Sequence, residues 1–218
     1  MKTKLALATA LAAVTVHTQA QTLHGPLPYL QQSDSPFAAQ IELGLVQVET
    51  FEDGFNIPGV TASSGSVIGP GGLTDSVDAD DGVINGKGTN GKSFFGDGLV
   101  GISFTFTGTL PTMAGIVWTD GGNGSTVTFQ AFDQNGISVG VFPTHTADNE
   151  NFGETAEDRF FGLMHAGGIS RIFIKNSSGG MEVDHLQFGA PVPEPGSVVL
   201  AGLGASVLGL RRGWSRRV

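Results

Sequence analysis

Ile102, Phe104 and Phe106 alternate with Ser103, Thr105 and Thr107, the period-2 pattern of a half-buried strand. Short apolar runs of the same kind occupy residues 113–119, 127–132, 137–142, 160–165, 169–174 and 181–188. Upstream, residues 41–51 alternate well at their start and end at Asp53-Gly54, which reads as the first strand. Turn signals separate the runs: Asp120 to Gly124, Gln134-Asn135-Gly136, Gly167-Gly168, and Asn176 to Gly180. Short strands at this spacing predict an all-β fold, a single β-sandwich or jelly-roll-like domain over residues 41–190. Residues 154–159 alone suggest a helical turn. Residues 65–92, rich in Gly, Asp, Ser and Asn, predict a long surface excursion with one or two short strands. Residues 21–40 carry Pro26, Pro28 and Pro36 without periodicity and predict a spacer leading into the domain.

The two ends follow a different grammar. Residues 1–20 hold Lys2 and Lys4, an apolar run from Leu5 to Val16, and Ala20 before a cleavage point, the three-part pattern of a secretory signal peptide. At the other end Pro193-Glu194-Pro195 precedes an apolar stretch over 196–210 and a basic tail over 211–218 that includes Arg211 and Arg212. Fifteen helical residues reach about 22 Å, short of the roughly 30 Å hydrocarbon core, so the stretch spans only with bilayer thinning or help from its flanks. The arginines hold the tail in the cytoplasm and place everything before Pro193 across the membrane.

Composition sharpens both readings. The chain has 218 residues with 34 glycines and no cysteine, which argues against a helical bundle and removes structural disulfides and thiolate metal sites. The net charge of −9 hides a larger imbalance, because six of the eleven basic residues sit at the ends. Between Gln21 and Ala190 five bases stand against nineteen acids, a balance of −14 that repels phosphate backbones and excludes nucleic acid as a partner. Cations and neutral polymers suit such a body.

The tripartite C-terminus, residues 191–218, resembles the PEP-CTERM sorting signal of exported bacterial proteins. The resemblance implies passage through the secretion machinery, membrane insertion through the C-terminal helix, and recognition by an exosortase-type membrane protease. Pro193, Glu194 and Pro195 would mark the processing site, with Arg211 and Arg212 in the retained tail. Delivery to the cell surface or an extracellular polysaccharide matrix follows from the same resemblance. Segments such as Leu110 to Gly121 and Gly180 to Gly189 are similar in style to the β-rich ectodomains of such proteins, which brings an expectation of fold and no chemistry.

In jelly-roll carbohydrate-binding modules, acids on the first and last strands hold a structural calcium ion; Glu49, Glu52 or Asp53, and then Asp184, lie at corresponding ends here. If the last strand alternates, Asp184 shares a face with Leu186 and Phe188 and needs Arg159, Arg171 or a cation beside it. The run Asp75-Ser76-Val77-Asp78-Ala79-Asp80-Asp81-Gly82 lacks the ligand spacing of a calcium-binding helix–loop–helix and reads as a solvated acidic turn or an irregular calcium site. Trp118, with Asp120 and Asn123 in the turn after it, offers a stacking platform for a sugar ring; core packing beside Ile116 is the other reading. His145, His165 and His185 have no zinc-ligand spacing.

No nucleophile elbow, zinc-protease motif or phosphate-binding loop occurs. The expectation is therefore a non-catalytic exported protein, not an enzyme, associated with exopolysaccharide. The alternative is a polysaccharide-acting hydrolase with an unrecognised carboxylate pair.

Overall fold

The computed structural model describes residues 21–80, 82–84, 90–148, 153 and 155–190. The predicted signal peptide, the sorting motif with its helix and basic tail, and Glu154 lie outside the described residues. In chain order the strands are β1 (Gln21–Pro28), β2 (Val46–Glu49), β3 (Val60–Ala62), β4 (Ser66–Ile68), β5 (Ser93–Asp97), β6 (Ile102–Phe106) and β7 (Met113–Gly121). They continue with β8 (Thr126–Phe132), β9 (Ser138–Val141), β10 (His145–Thr146), β11 (Arg159–His165), β12 (Arg171–Asn176) and β13 (Gly180–Gly189). One short helix, α1 (Ala38–Glu42), and single 3-10 turns at Gln32–Asp34 and Val77–Ala79 complete the described elements.

Two antiparallel sheets result, as the alternating pattern predicts. One runs β1-β11-β7-β13-β5-β4, with β2 also paired to β13; the other runs β10-β8-β12-β6-β3, with β9 on β8. Alternate residues of the facing strands fill one core: Ile116, Trp118 and Phe161 from the first sheet meet Phe104, Phe129 and Ile172 from the second, all without exposed surface. Phe129 stacks on Phe161 with centroids 5.9 Å apart. Burying so many aromatic rings between two sheets is the main source of stability in a chain without disulfides.

The first sheet is also covered on its outer face. Tyr29, Phe37, Val77, Met113, Val117 and Phe160 form a second apolar cluster beneath the 29–45 segment and the 73–80 loop. The ring of Phe160 lies over two glycines: a Cβ on Gly115 would stand 2.3 Å from it, and one on Gly162 would stand 2.6 Å away. Gly115→Ala would also press within 2.8 Å of the Phe161 carbonyl, and is expected to cost about 1–3 kcal/mol by overpacking. A thermal melt of the variant checks this.

Three local expectations are corrected. Residues 21–28 are no spacer but the edge strand β1, paired with β11 through a register shift between His24 and Leu27. The segment 41–51 is not one strand: Ile41 and Glu42 end helix α1, whose apolar residues pack on the outer cluster, and pairing starts only at Val46. The acidic run from Asp75 is not a solvated turn, because Asp75, Ser76 and Val77 are buried against the outer face.

Candidate functional site

The docking of that loop depends on polar side chains on the outer face of β13. Val183 and Leu186 both enter the inter-sheet core, and a break in the pairing between Asp184 and Gln187 accommodates the extra residue. His185 takes a left-handed φ of 44° in this bulge. Alternation therefore fails at this point: Asp184 does not share the inward face of Leu186, and Asp184, His185 and Gln187 serve the outer side. Asp184 accepts from the Val77 amide at 3.0 Å, the Ser76 hydroxyl at 3.2 Å and its neighbour's amide at 2.6 Å. Glu182, two residues earlier, accepts from the Asp75 amide at 2.9 Å and the Ser93 hydroxyl at 2.5 Å.

His185 completes the seam. Its Nε2 lies 3.2 Å from an Asp78 oxygen and its Nδ1 is 3.0 Å from the Tyr29 hydroxyl. Gln187 donates to the same hydroxyl and accepts from Ser35. Burial alone would lower the imidazole pKa, but Asp78 and Asp184 outweigh it and the net shift is upward. Burial pushes Asp184 up to about 7, with His185 and the amides acting against that rise.

Two groups of three side chains lie close enough to hold a metal ion, each with ligand atoms within 4.8 Å of one another: Asp78, Asp184 and His185, and Asp75, Asp80 and Asp158. They differ in satisfaction. In the first, both imidazole nitrogens and the Asp184 oxygens already have partners, so the group is complete as an internal ion pair. In the second, Asp75 and Asp158 have no exposed surface; neither carboxylate oxygen of Asp75 has a hydrogen-bond partner among the described residues, and the carboxyl of Asp158 faces that of Asp80. Burial, and then their neighbouring acids, raise both pKa values well above the ordinary aspartate value.

The residues singled out from sequence are distributed differently. Glu52 and Asp53 do not meet Asp184 in either group; Glu52 instead accepts from the Lys92 amide, and Asp53 is exposed. Both line a groove of about 490 Å³ with Glu49, Thr50, Asn56 and Ile57. Trp118 has no exposed surface, so of its two readings the structure bears out core packing and corrects the sugar platform: its ring packs edge-on against His145 inside the sandwich. Asp120 is half-buried and turned to Glu157, while Asn123 is exposed, so the three do not form one surface. Burial and then the hydrogen-bonded Glu157 push Asp120 up to about 9. Glu157 in turn accepts from the amides of Gly121 and Asp148. Two carboxyl groups sharing a hydrogen bond are closer than the roughly 5 Å or more required of a glycosidase pair.

The sequence places Asp75 and Asp80 in one acidic run with nothing to join Asp158 to it, and Glu182, Tyr29 and Gln187 were passed over. A strongly acidic loop followed far downstream by a strand carrying Glu182 and Asp184 was the available signal, but convergence across more than 70 residues has no local signature.

Residues 191–217 match the family model of the PEP-CTERM protein-sorting motif. The chain thus carries the motif suspected from its Pro-Glu-Pro, apolar and basic segments, and the motif implies export, processing by an exosortase-type membrane system and association with the cell surface. No curated protein matches the sequence.

Among solved structures, the chain is similar to the enzymatically active domain of tailspike protein 4 of bacteriophage CBA120, with 16% identity, a TM-score of 0.35, and coverage of 64% of this chain and 20% of that one. It is also similar to two structures of the catalytic domain of a GH87 alpha-1,3-glucanase in complex with tetrasaccharides. These have 15% identity and TM-scores of 0.37 and 0.38, and cover 68% of this chain and 28% and 29% of theirs. The chain spans under a third of the length of these proteins. The expectation that the body is not an enzyme is corrected on this finding, since the matches are enzymatically active or catalytic domains, and the non-catalytic description is not retained. At these scores the likeness assigns no residue, substrate or reaction to the present chain. Among the described residues no helix is long and apolar enough to cross a membrane; the predicted span at 196–210 lies outside them.

Proposed function

We propose that the chain is an exported protein whose β-sandwich is released by an exosortase-type protease near Pro193-Glu194-Pro195 and engages exopolysaccharide at the cell surface or in the extracellular matrix. The match of residues 191–217 to the PEP-CTERM motif carries this reading, together with the signal-peptide pattern at the opposite end. The groove at Glu49, Glu52, Asp53 and Asn56 suits a neutral, hydroxyl-rich polymer: carboxylates and the amide accept from sugar hydroxyls, and Ile57 offers an apolar wall. An anionic polymer would need bridging cations, given a body charge of −14.

In its host, the wild-type protein should be found outside the cytoplasm without residues 1–20 and without the segment after Pro195. Changing Pro193, Glu194 and Pro195 to alanine should leave a longer, membrane-held form. Mass spectrometry of the surface protein that finds the Arg211 and Arg212 tail intact in the wild type sinks the processing route. Incubating the released body with the host polysaccharide reads the second half: Asp53→Ala with Asn56→Ala should cut retention severalfold. New reducing ends would add hydrolysis to binding, and retention unchanged by the double variant overturns the groove.

A further inference from the structure

We propose that Asp75, Asp80 and Asp158 form a calcium site that fastens the 73–80 loop to the start of β11. The site does not depend on polysaccharide binding, so either reading can fail without the other.

The first argument is chemical completeness. Both carboxylate oxygens of Asp75 are buried without a hydrogen-bond partner among the described residues, and those of Asp158 face only the carboxyl of Asp80, whereas buried polar groups are nearly always satisfied. The adjacent base does not serve them: Arg159 donates to the backbone carbonyl of Asp158 at 2.6 Å. Asp80 adds a third carboxyl whose ligand atom lies within 4.8 Å of the other two. Three mutually facing carboxylates hold together only through shared protons or a cation, and Glu182, Asp120 and Glu157 add to the negative field at Asp75.

The second argument is construction. Asp75 is fixed at both backbone groups, with its amide on Glu182 and its carbonyl accepting from the Thr119 hydroxyl at 3.2 Å. Its carboxylate is thereby aimed at Asp158 by contacts outside the trio. Asp80 also lines a cleft of about 320 Å³ beside Asp78 and Gln31, which gives an ion and its waters a route from solvent. An all-oxygen, thiolate-free and imidazole-free donor set selects a hard cation, and an irregular loop with room for water suits the six to eight ligands of calcium better than the strict octahedron of magnesium.

The test uses the full chain purified in detergent and stripped with chelator. Calorimetric titration should find one calcium per chain, and the melting temperature should rise with free calcium by mass action. Magnesium at equal concentration and ionic strength should shift it less. Asp75→Asn with Asp158→Asn should weaken calcium binding at least tenfold, while Asp53→Asn, at a residue outside both groups, should leave it unchanged. Native mass spectrometry of the wild type requires no variant and should retain one calcium ion. No retained ion, equal shifts from magnesium, or undiminished binding in the double variant would overturn the site.

Discussion

Replacing Trp118 with alanine is expected to lower stability by about 3–5 kcal/mol while leaving polysaccharide retention of the folded protein unchanged. The indole is fully enclosed between the sheets, in the same cluster as Ile116, Val127 and Met181. Its surroundings are shaped to it: a Cβ on Gly121 would stand 2.5 Å from the ring, and His145 closes one side with centroids 5.9 Å apart. Backbone strands on both sheets cannot collapse into the space an alanine would leave, so the loss contains a cavity contribution as well as the transfer of the ring. For a domain of this size the change corresponds to a fall of roughly 6–20 °C in Tm. Urea unfolding of the variant beside the wild type decides the matter. A loss under about 1 kcal/mol with impaired retention would return Trp118 to the ligand surface.

In chelator at constant ionic strength, stability is expected to fall as pH rises from 5 to 8, the reverse of the trend when carboxylates are held ionised by partners. Asp184, raised from 3.8 to about 7, and Asp120, raised to about 9, keep protons in the native state that the unfolded chain has released. The unfolded state binds fewer protons over that interval, so the free energy of unfolding drops with pH. His185 acts in the same direction, because its pKa is raised in the folded state; its contribution is complete below the ordinary value of about 6.5 and is lost as pH climbs through the raised one. His24 and His145, both half-buried and lowered by that burial, act in the opposite direction. Asp184 alone accounts for a loss of about 3 kcal/mol between the two ends of the range, or roughly 6–12 °C in Tm, and Asp120 and His185 add to it. Melts that are flat or rise with pH would show that these carboxyls are ionised in the native protein.

The sequence made the inter-sheet core legible where one strand presents one face. Ile102, Phe104 and Phe106 alternate as read and all enter the core. It failed where a segment's burial depends on another part of the chain. Strand β1 has no periodicity because it is an edge strand with two prolines and a register shift, and its place is set by β11. The loop at Asp75 looks solvated by composition and is buried because Glu182 and Asp184 receive its backbone amides. His185 and Leu186 broke the assumed alternation through a bulge that period-2 counting cannot anticipate. Trp118 was open to a core and a surface reading, and the structure gives the core one: its glycine-rich neighbours make room for the ring. For the same reason the trio at Asp75 was hidden: its members come from a loop and a strand start that are far apart in sequence.

The slot that β13 fills has a consequence for the order in which the sheet can close. It runs through the middle of the seven-stranded sheet, flanked by β7 on one side and by β5 and β2 on the other, yet it is the last strand of the body. Until residues 180–189 are available, those three strands lack their common partner, and the loop that docks on Glu182 and Asp184 has nowhere to sit. Closure of the sheet therefore depends on the segment directly ahead of the sorting motif at 191–217, the keystone of the described body.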